Sequence, residues 1–326
     1  MKYLTFTHSG DREANEDCCS ALRFKPLSSP LKPITSSQEA DESIDVLLLS
    51  DGMGGEEHGA VISRWTVTLI QRGLVREFST RTVLQDQIER GLSVDSDEIV
   101  PETLERVIET TNKRVLDRIE QKNWGGGGAT VVTCVVQGNK FWYSHRGDSR
   151  LYLWSEDDRE LTQLTMDHTV PQILHDNEMI DAEVAKNHAR QNELVFFIGS
   201  EEQPDLETKS GTLACGDRLL LCSDGISNEL DQNIMEEILA ESGLFEVAKK
   251  LPASAYEAGS SDNMTVVLYE YDGSPRCTNV KREDPGFQNQ RDRIDKVASE
   301  KGRSESSGST ARSDSRSRGE GEEDQF

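Results

Sequence analysis

Five aspartates in this chain stand beside apolar runs. VLLLSDGMGG (46–55) breaks at Asp51 and LLLCSDG (219–225) breaks at Asp224, each followed by glycine. Asp17 closes REANED, Asp148 lies in RGDSR between two strand-like runs, and Asp262 lies in SSDNMTVV just before another. Any one of them alone reads as a turn residue, because Asp bonds its neighbouring backbone and tolerates unusual φ. Five together ask for chemistry. Strand ends that meet at one sheet edge would gather several carboxylates, which repel and cannot all ionise in a dry cleft. Divalent cations resolve that conflict. The donors are all hard oxygens, with no His or Cys at these positions, so Mg²⁺ or Mn²⁺ is expected rather than Zn²⁺. Gly52 and Gly225 fit the same picture, since a residue without Cβ lets a backbone carbonyl approach an ion closely.

The elements that must position these residues show in the hydrophobic period. Strands are expected at 46–50, 129–136, 140–145, 150–154, 218–223 and 265–271, with QGN (137–139) closing a hairpin over 129–145. Helical spacing appears over 56–78, over 101–123 with Pro101 at its start, and as a pair over 233–259. Strands between and around helices indicate an α+β layered domain. Residues 25–43 read as a Pro/Ser surface loop, and 165–208 are mixed in character.

Composition bounds the rest. The net charge of −24 falls entirely on residues 1–272, because the last 54 residues hold 11 basic and 11 acidic side chains. So anionic a folded part argues against nucleic-acid and anionic-membrane partners. No run of 18 apolar residues and no signal-peptide core occurs, so a cytoplasmic protein is expected. The six cysteines form no C-x-x-C pair, which disfavours a zinc knuckle or disulfide framework. Residues 273–326, rich in Ser, Arg, Glu and Gly, lack the apolar content to offset ordering entropy and are expected to form a disordered tail. WGGGG (124–128) lacks the following Lys-Ser/Thr of a phosphate loop and reads as a connector.

In their order, Arg12…Glu16-Asp17, DGMGG (51–55), GDSR (147–150), CSDG (222–225) and DNMT (262–265) resemble the metal-dependent protein phosphatases (PPM, type 2C) over about residues 5–271. The resemblance implies a four-layer αββα sandwich of two antiparallel sheets flanked by helices, as one catalytic domain over 1–272 with a flap-like region at 165–208. It implies hydrolysis of phosphoserine and phosphothreonine in proteins by a metal-activated water, without a phosphoenzyme. It also implies two Mg²⁺ or Mn²⁺ ions held by Asp17, Asp51, the Gly52 carbonyl, Asp224 and Asp262. Arg12 corresponds to the arginine that grips phosphate, and Glu16 to a residue that holds a metal-bound water. A third ion is implied at Asp148 and Asp224, weakened by Asn228 where some members carry Asp. Met53 replaces the His of many eukaryotic members and suggests the bacterial type. Partners implied are phosphorylated proteins and a cognate Ser/Thr kinase. Two other readings stay open: a catalytically silent partner-binding relative, and a phosphatase of another phosphorylated regulator.

Overall fold

Residues 46–49 are apolar at consecutive positions because the strand containing them is covered on both faces. The structure, a computed structural model, describes residues 3–24, 43–54, 58–88, 96–201 and 203–273. Nearly all of the expected tail and of the Pro/Ser loop lies outside the described residues.

In chain order the strands are β1 (Tyr3–His8), β2 (Cys18–Phe24), β3 (Ile44–Ser50), β4 (Gly52–Met53), β5 (Gly128–Ala129), β6 (Val131–Gln137), β7 (Lys140–Arg146), β8 (Arg150–Ser155), β9 (Glu160–Gln163), β10 (Lys209–Thr212), β11 (Arg218–Cys222) and β12 (Met264–Glu270). The helices are α1 (His58–Ile88), α2 (Ser96–Lys122), α3 (Val170–Asp176), α4 (Ala182–Lys186), α5 (Asp224–Ser227), α6 (Gln232–Leu239) and α7 (Leu244–Ala258). Two five-stranded antiparallel sheets run β1-β12-β11-β8-β9 and β10-β7-β6-β3-β2, with β4 and β5 forming a small ribbon.

Three apolar layers hold this together. Val46 and Leu48 of β3 pack with Ile62, Ile70 and Leu74 of α1 and Leu104 and Ile108 of α2. Leu47 and Leu49 point the other way and meet Leu219 and Leu221 of β11 and Val267 of β12 between the sheets. Leu220, Val266 and Leu268 then face Val247 and Leu251 of α7. Strand alternation thus sends successive side chains into two different cores, which is why the runs carry no polar face. Each fully buried Leu contributes roughly 2 kcal/mol of transfer free energy. The result is the αββα sandwich.

Several element boundaries differ from the sequence expectation. The 129–136 strand is broken at Thr130, whose N–H bonds the Asp51 carbonyl (2.7 Å) rather than a ladder partner. The hairpin is tighter than QGN, with Gln137 paired to Lys140 and Gly138 at φ +62°. Helix α2 begins five residues before Pro101; so near the N-terminus the missing N–H costs only one bond. Residues 165–208 hold two short helices, α3 and α4, and a small cluster of their own around Ile173 and Phe196.

Candidate active site

The strand registers bring the five aspartates to one end of the sandwich. His8 pairs with Met264, Cys222 with Val266, and Arg150 with Cys222, so the 9–17 loop, Asp262, Asp224 and Asp148 all lie at the same end of the first sheet. In the second sheet Cys18 pairs with Ser50, which sets Asp17 beside Asp51. The Gly52 N–H donates to the Glu16 carbonyl (3.2 Å) and ties the two turns.

Each turn is fixed by short polar contacts. The Asp51 N–H donates to Thr130 Oγ1 (2.9 Å), which shares a hydrogen bond with Ser149 Oγ (2.7 Å) beside Asp148. Ser223 Oγ donates to Asp17 Oδ2 (2.8 Å) and accepts the Thr265 N–H (3.0 Å), locking the Asp17 rotamer to the start of β12. Asn263 accepts the Glu16 N–H (2.8 Å) and donates to the Ser9 and Ala14 carbonyls, so the loop carrying Arg12 and Glu16 is closed over Asp262. A Cβ on Gly52 would sit 2.2 Å from the Gly59 carbonyl oxygen, so only glycine lets the turn after Asp51 nest against the start of α1.

Electrostatics mark this edge as unusual. Burial, offset in part by hydrogen bonds from Thr265 and Ser223 and reinforced by Asp224 and Asp262, pushes the Asp17 carboxyl up to about 7. Burial first, then the charges of Asp17, Asp224, Asp148 and Asp262, hold Asp51 well above the usual carboxylate range. Asp148 is raised well above it by burial and by Asp224 and Asp167. Asp224 is raised by burial and by Asp262, against a hydrogen bond with Asp51. Four carboxyls that resist ionisation together are what a missing countercharge produces.

Arg12 donates to Asp262 Oδ2 (2.8 Å) from a side chain 58% exposed. Among the described residues no three acidic or His/Cys side chains converge as a ready-made ion cage, since Asp262 turns to Arg12 and Asp224 to Asn228 (3.3 Å) and Asp51. The donor set nevertheless suits hard divalent cations. It is all oxygen, and the buried Asp17 Oδ1 has no hydrogen-bond partner among the described residues.

The sequence reading passed over the supports of this edge: Thr130, Ser149, Ser223, Asn263 and Ser63, whose Oγ donates to the Glu16 carbonyl (2.5 Å). Ser223 and Asn263 lie inside motifs already singled out, so a question about which neighbours orient each carboxylate could have found them. Thr130 carried no such signal. Arg150 also has a part, gripping Asp167 through Nε (2.9 Å) and Nη2 (2.7 Å) and the Ser227 carbonyl through Nη1 (3.2 Å), which joins the base of the 165–208 segment to the edge. His168 is fully buried, accepts the Gly147 N–H (3.2 Å) and stacks on His145 (4.4 Å), a structural role. His58 stacks on Trp124 rather than reaching the acidic edge by any hydrogen bond among the described residues.

Comparison with known proteins agrees with this geometry. The protein phosphatase 2C profile matches residues 35–252, a span that includes Asp51, Asp148 and Asp224. A serine/threonine phosphatase, stp, of Listeria monocytogenes is 31% identical over 236 residues, 72% of this chain and 87% of that protein. The crystal structure of the Mycobacterium tuberculosis serine/threonine phosphatase PstP/Ppp superposes with TM-score 0.65 at 26% identity, covering 83% of this chain and 98% of that one. The PstP catalytic domain in complex with two manganese ions superposes with TM-score 0.62 at 26% identity, covering 82% and 97%. This chain belongs to the protein phosphatase 2C (PPM) family of metal-dependent phosphatases, in its bacterial form.

Proposed function

We propose that this chain is a serine/threonine protein phosphatase whose acidic edge holds two Mg²⁺ or Mn²⁺ ions. Asp17, Asp51, Asp224, Asp262 and the Gly52 carbonyl are the ligands, and a third, weaker site lies at Asp148 and Asp224. When bound, such paired cations lower the pKa of water enough to supply a nucleophile near neutral pH and offset charge on the phosphoryl group. The observation that carries this reading is the convergence of Asp17, Asp51, Asp148, Asp224 and Asp262, drawn from distant parts of the chain, at one end of the two sheets. No structural role in the fold calls for so many self-repelling carboxylates.

The chain's own residues have separable tasks. Ser223 and Thr130 hold Asp17 and the Asp51 turn in place, whereas Asp262 and Asp224 must turn from Arg12 and Asn228 to meet an ion. Arg12, exposed and hydrogen-bonded through its guanidinium to Asp262, can transfer that group to two phosphate oxygens, a geometry its planar fork suits. Glu16, with its backbone fixed by Asn263 and Ser63, orients water at the edge. Met53 has no proton to give a leaving group.

The partners in this reading are phosphorylated proteins and a cognate Ser/Thr kinase, in a cytoplasmic signalling setting. No helix among the described residues is long and apolar enough to cross a membrane. The test is hydrolysis of p-nitrophenyl phosphate and of phosphoserine, phosphothreonine and phosphotyrosine peptides by the full chain. Activity abolished by EDTA, restored by Mn²⁺ and selective for phosphoserine and phosphothreonine is expected. Turnover that ignores EDTA would remove the metal mechanism.

A further inference from the structure

Read as sequence, WGGGG (124–128) is a connector, but in the fold it builds something. After α2 the chain doubles back and lays Trp124 on α1, where its ring stacks on Trp65 (centroids 5.5 Å apart, 10° between planes) and on His58 (4.3 Å, 22°). The Arg118 guanidinium caps Trp65 at 5.5 Å. Four planar groups thus form one column, and among the described residues no ring covers the outer side of His58. Gly126 (φ +142°) and Gly127 (φ +120°) adopt backbone that favours glycine, which lets the loop reverse so sharply. A Cβ on Gly54 would lie 2.7 Å from Gly127 Cα, so the loop behind Trp124 is seated directly on the turn that follows Asp51.

The His58 end of the column opens into a cleft of about 670 Å³ whose other walls are Ala14, Asn15, Ala60, Val61 and Arg64. The cleft is continuous with the acidic edge. Asn15 adjoins Glu16, and a Cβ on Gly59, next to His58, would lie 2.4 Å from Glu16 Oε1. Its walls contrast with that edge: small apolar side chains, aromatic rings, Asn15 and one exposed arginine, with no carboxylate among the described residues that line it.

We infer that this cleft is the subsite for an aromatic side chain flanking the phosphorylated residue of a protein substrate, an inference that rests on the phosphatase reading above. An aromatic ring entering it extends the column at His58, fills space left by Ala14, Ala60 and Val61, and offers its face to the Arg64 guanidinium. A lysine or arginine at the same substrate position meets Arg64 and is disfavoured.

The test uses the full chain with Mn²⁺ and phosphothreonine peptides carrying Phe, Ala or Lys at each flanking position in turn, with p-nitrophenyl phosphate alongside. Phe at one position should raise kcat/KM about three- to tenfold over Ala, mainly through KM, the range expected for one aromatic contact. Val61→Trp fills the cleft and His58→Ala removes the terminal ring, and each should bring that ratio close to one. Taking the Phe/Ala ratio within each variant cancels any general loss of activity or folded fraction. A ratio near one at every position in the unaltered chain, or a ratio that survives both substitutions, would overturn the subsite. Absence of turnover on both peptides and p-nitrophenyl phosphate would instead fail the phosphatase reading, and the subsite with it.

Discussion

Replacing Asp17 with Asn should stabilise the metal-free fold at alkaline pH, the reverse of what removing a buried, hydrogen-bonded residue usually does. The Asp17 carboxyl titrates at about 7 in the fold against an ordinary 3.8, chiefly because it is buried. Between those values the folded chain keeps a proton that the unfolded chain has released. Stability from this group is therefore fully present below about pH 4 and drains away as pH rises to about 7. At about 1.4 kcal/mol per pH unit the full loss is about 4 kcal/mol, of which about 2 falls between pH 5 and pH 7. Asn carries no charge and escapes this loss. Urea unfolding in EDTA at pH 5, 6, 7 and 8 should show the unaltered chain weakening by about 2 kcal/mol more than Asp17→Asn between pH 5 and pH 7. Mn²⁺ at pH 8 should narrow the gap, adding about 2.7 kcal/mol to the unaltered chain at a hundredfold excess over its Kd and far less to the variant. Parallel pH profiles for the two proteins in EDTA would refute the reasoning, since Asp17 would then titrate alike folded and unfolded.

Other substitutions separate the tasks of the edge. Ser223→Ala removes the hydroxyl between Asp17 and the start of β12 and should weaken Mn²⁺ affinity about tenfold to a hundredfold, read by activity against metal concentration. Gly52→Ala drives a methyl to within 2.2 Å of the Gly59 carbonyl oxygen, so a fall in melting temperature with loss of turnover is expected; an unchanged melt with full activity would show that the turn relaxes freely. Arg12→Ala should lower kcat/KM on p-nitrophenyl phosphate about ten- to a hundredfold, the worth of one charge-assisted pair, while leaving Mn²⁺ binding intact.

What the sequence made legible follows from where the information is local. Leu47, Leu48 and Leu49 mark a strand covered on both faces without any alignment, because no polar residue interrupts them. Asp51 and Asp224 stand out because an apolar run stops at each. Strands β1 and β2 escaped notice because their residues are only half buried and alternate weakly, and both lie at sheet edges or near them. Strands β9 and β10 span four residues each, too few for a period to show. Helices α3 and α4 were hidden for the same reason: at seven and five residues, neither completes enough turns to declare an apolar face. Within the site, carboxylates announced themselves by charge, whereas Thr130 and Ser149 act through a hydroxyl pair 19 residues apart that only the fold brings together. Trp124 is the sharpest case, for its stacking partners lie in α1, and nothing local to WGGGG points there.

The central claim is that carboxylates from four separate turns share paired divalent ions. Calorimetric titration of Mn²⁺ into the full chain at pH 7, run in buffers of different ionisation enthalpy, tests it most directly. Two ions per chain should bind with release of protons, and both the stoichiometry and the proton release should drop in Asp51→Asn and Asp224→Asn. Binding without proton release, or binding untouched by either substitution, would contradict the account.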